Sequence, residues 1–228
     1  HRVESLGSRQ AVEIKNSHGD VRCRAAAQNE VEILANIQKQ ENDPYEAEIR
    51  IKKDATRLMI EVVYVRTPNT ETIQETEQMK KRRVDMTLIL PAAAKLEAQT
   101  RTGLIEAKGL ETDVQANSHS GNIVLSTTCS LQARTERGTI DATLLSAIWS
   151  SAPHLETLTG TITMWLPQDT NAIVDAATEG IISTDYSIEI RHQAPGRKKT
   201  ARAVLGAGAQ RLTISSTKGD IRLFRQAA

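Results

Sequence analysis

Aromatic side chains are scarce in this 228-residue chain: two Trp, three Tyr and one Phe make up 3% of it. A β-sandwich core normally leans on large aromatics, so the shortage points to a thin core of Ile, Val, Leu and Ala. It also argues against a lectin-like site, which stacks exposed Trp or Tyr on sugars. Net charge is almost absent, +1 from 29 basic and 28 acidic residues. That removes the global electrostatic case for nucleic-acid binding, and none is expected. Two cysteines, Cys23 and Cys129, do not make a disulfide framework. They read as small hydrophobes in preference to a bridge. The longest apolar stretches, residues 88–90 and 92–94, fall far short of the about 20 residues that a membrane helix needs. The histidines (His1, His18, His119, His154, His192) show no HxH or HExxH spacing. A GxSxG elbow and a phosphate-binding glycine loop are also missing. No cofactor and no metal are implied.

What is present is a repeat. It is centred on Gly19, Gly103, Gly121, Gly138, Gly160, Gly180 and Gly219. Two residues after each glycine stands a β-branched residue: Val21, Ile105, Ile123, Ile140, Ile162, Ile182 and Ile221. Three residues before it stand Asn16, Thr100, Ser118, Thr135, Thr157 and Ser216. The Gly180 copy joins this column through Thr178 if its turn is one residue shorter. From Gly103 to Gly180 the glycines are 18, 17, 22 and 20 residues apart. Self-similarity at about 20 residues is the signature of a stacked repeat.

One unit can be read physically. Leu131, Ala133 and Thr135 share one face before the glycine, Gln132 and Arg134 the other. After it, Ile140 and Ala142 face one way and Thr139 and Asp141 the other. Period two means strands half buried on one side. The glycine marks the tight turn between them, where a positive φ is expected. One such pair cannot bury its apolar face alone, so neighbours must stack. The Ser/Thr column then lies coil above coil beside the turns. Its hydroxyls are expected to bond to each other or to turn backbone, a structural role.

The chain reads as one all-β repeat domain over residues 1–228, a β-solenoid-like stack of short strand–glycine turn–strand repeats. Residues 1–90 supply N-terminal strands, a β-meander and a long loop; residues 91–228 supply the tandem units. Residues 66–82, nearly devoid of apolar side chains, read as an exposed loop. Residues 191–210 read as a second irregular excursion, after which a final unit closes the array. Each excursion carries a basic cluster: Lys80, Lys81, Arg82 and Arg83 in the first, Arg197, Lys198, Lys199 and Arg202 in the second. These are the candidate binding residues, suited to an anionic polymer or membrane surface. The bland alternative is that Glu71, Glu75 and Glu77 neutralise the first cluster. The chain starts at His1, which is expected to follow a removed signal peptide, an anchor or a processing site.

The order of parts carries a resemblance. VEIKNSHGDVRC comes first, then a meander and a strand ending in proline, then units such as TRTGLIEA and SHSGNIVL. GAGAQRLTISSTKGDIRL closes the chain. This resembles the bacterial "putative adhesin", or toastrack-type, β-strand-repeat family, a domain of unknown function. The resemblance covers nearly the whole chain and implies a solenoid-like fold, an exported or envelope location and a surface-interaction role. It supplies no catalytic residues.

Polysaccharide-degrading enzymes on stacked β-folds need two carboxylates converging on one linkage. The outward column three residues after each glycine contains Glu106 and Asp141, separated by the unit carrying Val124. Strand spacing places them about 9–10 Å apart, at or beyond the upper end for an inverting pair. His18 and His119 both sit in repeat turns and would share a metal only if those turns were adjacent. Gly19-Asp20 and Gly219-Asp220 are too sparse for a calcium-binding nonapeptide array. The expectation is a non-enzymatic, envelope-associated or exported domain that presents a rigid β-repeat surface to a macromolecular partner: an envelope protein, an anionic polysaccharide or a membrane surface. The alternative is an envelope-stress signalling or scaffold module, with a carbohydrate-active enzyme third.

Overall fold

The structure is a computed structural model that describes residues 1–7, 10–39, 43, 45–66, 82–192 and 196–227. Among these residues the N-terminal part forms β1 (Arg2–Ser5), β2 (Ala11–His18), β3 (Val21–Ala26), β4 (Glu30–Gln38), β5 (Tyr45–Lys53), β6 (Arg57–Arg66) and β7 (Arg83–Pro91). The tandem units follow as β8 (Leu96–Thr102) with β9 (Ile105–Leu110), β10 (Val114–Ser120) with β11 (Ile123–Thr127), β12 (Leu131–Arg137) with β13 (Ile140–Leu144), and β14 (His154–Thr159) with β15 (Ile162–Leu166). The last part forms β16 (Ala172–Thr178), β17 (Ile182–Thr184), β18 (Glu189–His192), β19 (Lys199–Leu205), β20 (Gln210–Lys218) and β21 (Ile221–Arg225).

The strands build two sheets. The first runs β18-β19-β16-β20-β14-β12-β10-β8-β2-β6-β5, the second β1-β4-β7-β3-β9-β11-β13-β15-β21-β17. Each rung is one strand of the first sheet, a turn, and one strand of the second. Neighbouring rungs pair parallel and in step. Leu96 lies beside Val114 and Val114 beside Leu131; Ile105, Ile123, Ile140 and Ile162 follow one another across the other sheet. The β-solenoid-like stack of strand–glycine turn–strand units is thus the observed architecture.

The turn explains the glycines. A Cβ on Gly103 would collide with the carbonyl oxygen of Gly19, one on Gly121 with that of Gly103, and one on Gly138 with that of Gly121. The same contact continues from Gly160 to Gly138 and from Gly219 to Gly160. The backbones therefore approach too closely for any side chain. At Gly103 a φ of 139° adds a second demand. The Ser/Thr column serves this contact. Thr135 donates its hydroxyl to the Gly121 carbonyl (3.0 Å), Thr157 to Gly138 (3.2 Å) and Ser216 to Gly160 (2.9 Å). Thr178 reaches Gly219 in the same way, so the shortened Gly180 unit joins the column as expected. On the first unit Asn16 replaces the hydroxyl and donates to Val84 (2.8 Å). Of the two bonding modes expected for the column, the bond to turn backbone is the one formed at these positions.

The residue after the glycine ties rungs from the other side. Asp20 accepts the Leu104 N–H (3.0 Å), Asn122 the Thr139 N–H (2.9 Å) and Asp220 the Ile181 N–H (2.9 Å). The two Gly-Asp pairs thus satisfy backbone donors of the next rung.

The core lies between the sheets and is narrow. Along the first sheet Ile14 is followed by Ala98, Ala116, Ala133 and Leu155, and along the second Cys23 is followed by Ala107, Leu125 and Ala142. All are buried. A gap filled by such residues has little room for aromatic rings, which accounts for their scarcity. Trp149 and Tyr186, the buried aromatics among the described residues, sit outside the repeats, and Trp165 with Phe224 packs on an outer face (ring centroids 5.1 Å apart).

Both ends depart from chain order. β6 and β7 pair parallel with β2 and β3, so the N-terminal strands add a full rung beyond the first glycine unit. At the other end β20–β21 does not close the array. It inserts between β14–β15 and β16–β17. The expectation of a terminal closing unit is corrected here: β19 and β18 cap the first sheet by antiparallel pairing on β16. The excursion expected over residues 191–210 therefore contains a full strand, β19 (Lys199–Leu205), and the end of β18. Its inward side chains (Ala201, Ala203, Leu205) alternate, but two of them are too small to register as an apolar stripe.

Two substitutions test this account. Gly121→Ala is expected to cost about 1–3 kcal/mol, because the new methyl meets backbone that cannot yield. Ile140→Asp removes burial worth about 1.5–3 kcal/mol and adds an unpaired buried charge, so it is expected to unfold the stack. Urea denaturation followed by circular dichroism measures both. A Gly121→Ala midpoint equal to that of the parent would mean that the turns have room to spare.

Candidate functional site

The two basic clusters are disposed differently. Lys80 and Lys81 lie outside the described residues. Arg82 is not a surface cation: it is buried, 4% exposed, and its guanidinium binds Asp43 through Nε and Nη2 at 2.7 Å each. It also lies over the Tyr45 ring, 4.4 Å from the centroid. The Arg82 guanidinium holds the Asp43 carboxyl below the usual carboxylate range. Arg83 pairs with Asp20 (2.6 Å) and Asp85 (2.8 Å). Arg82 is thus corrected from a binding residue to a buried tie between the chain just before β7 and the start of β5, while Arg83, 40% exposed, ties β7 to Asp20 of the first glycine unit. A run of four basic residues gives no sign of this, because Asp43 and Asp20 are distant in sequence.

The second cluster stays at the surface. Arg197 and Lys198 are exposed and form no ion pair among the described residues. Lys199 turns inward and donates to the Gly180 carbonyl (2.9 Å). Arg202 projects from the outer face of β19. Pairing sets Glu189 on one side of it and Asp175 on the other, the latter at 3.9 Å. One step along, Arg191 of β18 lies opposite Thr200, beside Ala177 and Ser215 on the next strands. Arg191 is held by Glu189 (2.8 Å). These rows line an open groove of about 410 Å³ across β18, β19, β16 and β20. Its middle is low because Ala177, Thr200, Thr213 and Ser215 are short; its rims carry guanidinium and carboxylate groups. Such a surface offers hydrogen bonds of both kinds to an extended polar ligand. Glu189, Arg191 and Asp175 were not singled out by sequence reasoning. Only the pairing of β18 on β19 brings them beside Arg202.

The candidate catalytic pair does not converge. Val124 lies between Glu106 and Asp141 in the sheet, as the spacing predicts. Glu106 is engaged by Lys108 (3.0 Å) and Arg24 (3.4 Å). Partial desolvation raises the Asp141 carboxyl above its ordinary range, opposed by a hydrogen bond from Trp165. Glu13, the most buried carboxylate facing outward on the first sheet, is pinned by Lys15 (2.7 Å) and Arg57 (2.8 Å), and these bonds lower its pKa.

The turn histidines stand apart. His18 bonds to Thr102 (2.6 Å), while His119 bonds to Glu136 (2.9 Å) two rungs further on. Among the described residues no group of three or more His, Cys, Asp or Glu could hold a metal ion. Both cysteines are free. Cys23 is fully buried and burial pushes its thiol pKa up; Cys129 is half-buried. No helix among the described residues is long and apolar enough to cross a membrane.

Comparison with known proteins gives three findings. The family model described as Toastrack DUF4097 matches residues 9–223. No curated protein matches the chain. Among solved structures, a crystal structure of a "putative cell adhesion protein" from Clostridium sporogenes is similar over 99% of this chain and 98% of its own, at 9% identity and a TM-score of 0.53. A "putative adhesin" from Bacteroides fragilis matches over 99% and 95%, at 10% identity and a TM-score of 0.30. The first likeness shows a shared fold.

The Arg82–Asp43 pair sets a pH dependence. The folded-state pKa of Asp43 is depressed, so its contribution is complete above the unfolded value of about 3.9 and is lost as pH falls below it. Asp43→Asn leaves Arg82 buried without its counter-ion, and the expected loss at neutral pH is about 3 kcal/mol. The variant is also expected to lose stability less steeply than the parent on acidification. Chemical denaturation at several pH values checks both. Parallel acid profiles for parent and variant would remove the pair from the account.

Proposed function

The chain belongs to the Toastrack DUF4097 family, and on that premise we propose that it is a non-catalytic, envelope-associated or exported binding domain. The observation that carries this reading is the occupation of its carboxylates. Glu13, Glu106 and Glu189 on the outer faces, and Asp20 at the first turn, each pair with one or two Arg or Lys side chains. General acid–base work needs a pair facing one substrate bond. What the stack offers instead is two faces that are parallel-stranded through the repeats, with side chains repeating at the strand spacing of about 4.8 Å. The outer face of the first sheet carries Gln99 beside Asn117 and Gln115 beside Gln132. Such rows suit an extended polymer better than a small molecule. The cell-adhesion description of the Clostridium protein supports the same reading.

The proposed contact region is the groove around Arg202 and Arg191 with the exposed Arg197 and Lys198 nearby in the chain, and the proposed partner is an anionic polymer of the bacterial envelope. Attraction of this kind extends over about a Debye length, roughly 8 Å at physiological salt. Sedimentation with an acidic polysaccharide is expected to show salt-sensitive binding that is lost in an Arg197→Ser, Lys198→Ser, Arg202→Ser variant. No release of reducing ends is expected. Binding that persists in the triple variant would remove this region. Hydrolysis that disappears in Glu106→Gln, Asp141→Asn would overturn the non-catalytic reading.

A further inference from the structure

Stacked sheets expose four edges, and three of them are short. β1 and β18 have four residues each and β17 has three. The fourth, β5, has nine, and among the described residues nothing pairs with its outer side. Nine residues give an edge about 30 Å long. Exposed edges of this length invite pairing, and proteins usually blunt them.

The sequence of β5 is YEAEIRIKK. Glu46, Glu48, Arg50 and Lys52 point outward and are exposed; Ala47, Ile49 and Ile51 point inward and are only partly buried. The acids occupy the first half and the bases the second. We propose that β5 pairs antiparallel with β5 of a second copy of this chain, about a twofold axis at Ile49. In that register Glu46 faces Lys52 of the partner and Glu48 faces Arg50, and both pairs occur twice by symmetry. On the inner side Ile49 meets Ile49 and Ala47 meets Ile51. All four charge pairs are of opposite sign, and the half-covered apolar row gains a neighbour.

The register is singled out by the same residues. A slip of two in one direction places Glu48 opposite Glu48, and in the other Arg50 opposite Arg50; like charges directly opposite destabilise. A slip of one turns the apolar row against the charged row. The contacts now held by these charges are exposed and exchangeable: Glu48 with Arg50 at 3.2 Å, Glu46 with Lys39 at 2.7 Å. Antiparallel pairing of nine residues forms about nine backbone hydrogen bonds, in the range of an ordinary protein interface.

Complementary charge reversal tests the proposal by sedimentation velocity at several concentrations. The parent is expected to be dimeric. Glu46→Lys, Glu48→Lys alone and Arg50→Glu, Lys52→Glu alone are each expected to raise the dissociation constant about tenfold or more. An equimolar mixture of the two variants restores all four opposite pairs and is expected to restore the dimer. The changed residues are exposed, and circular dichroism confirms that each variant is folded. A parent that is monomeric at every concentration, a dimer indifferent to both reversals, or a mixture that stays monomeric overturns the proposal.

Discussion

The close approach of one glycine turn to the next is the contact on which the rest of this structure depends. A glycine backbone lies against the carbonyl of its neighbour's glycine, and that sets how near two rungs can come at the bend. Hydrogen-bonding distance along the strands is compatible with no side chain at that point. A Ser or Thr hydroxyl, or Asn16, then reaches the carbonyl so brought near, and it is buried in doing so. Parallel pairing, exact register of the apolar columns and the narrowness of the core all follow from this fixed corner. A wider turn would allow larger inward side chains and loosen the register.

This dependence explains how much was legible. Glycine, the hydroxyl three residues before it and the β-branched residue two after it are local, and stacking repeats them in sequence at the spacing of a rung. Thr178 shows how far that goes: a unit one residue shorter still carries the hydroxyl of the column and takes its place opposite Ser216. Order along the stack was not legible. Every rung carries the same corner, so each is a suitable neighbour for any other, and nothing local says that β20–β21 lies inside β16–β17.

The candidate site was read less well for a related reason. Basic residues that are adjacent in sequence alternate sides in a strand and reach different neighbours. Lys199 turns to the Gly180 carbonyl while Arg202 stays outside between two acids. Arg82 meets Asp43, 39 residues earlier, and becomes part of the interior. Charge runs in such a chain report exposure only after the pairing of strands is known. The groove beside Arg202 exists because short side chains on three strands fall into one row, a coincidence of register and not of sequence.

The inward position of β20–β21 has a mechanical consequence. In a simple solenoid the last unit is the outermost, and a pull on the C-terminus peels it away one hydrogen bond at a time. Here the strand that leads to the C-terminus is held on both flanks, by β15 and by β17. Tension entering there meets two ladders at once and loads them lengthwise. The unit acts as a keystone: among the described residues the strands of the outer rung, β16–β17, pair with the rest of the stack through it. Shortening the chain by its final unit would therefore not shorten the stack by one rung but open a gap within it.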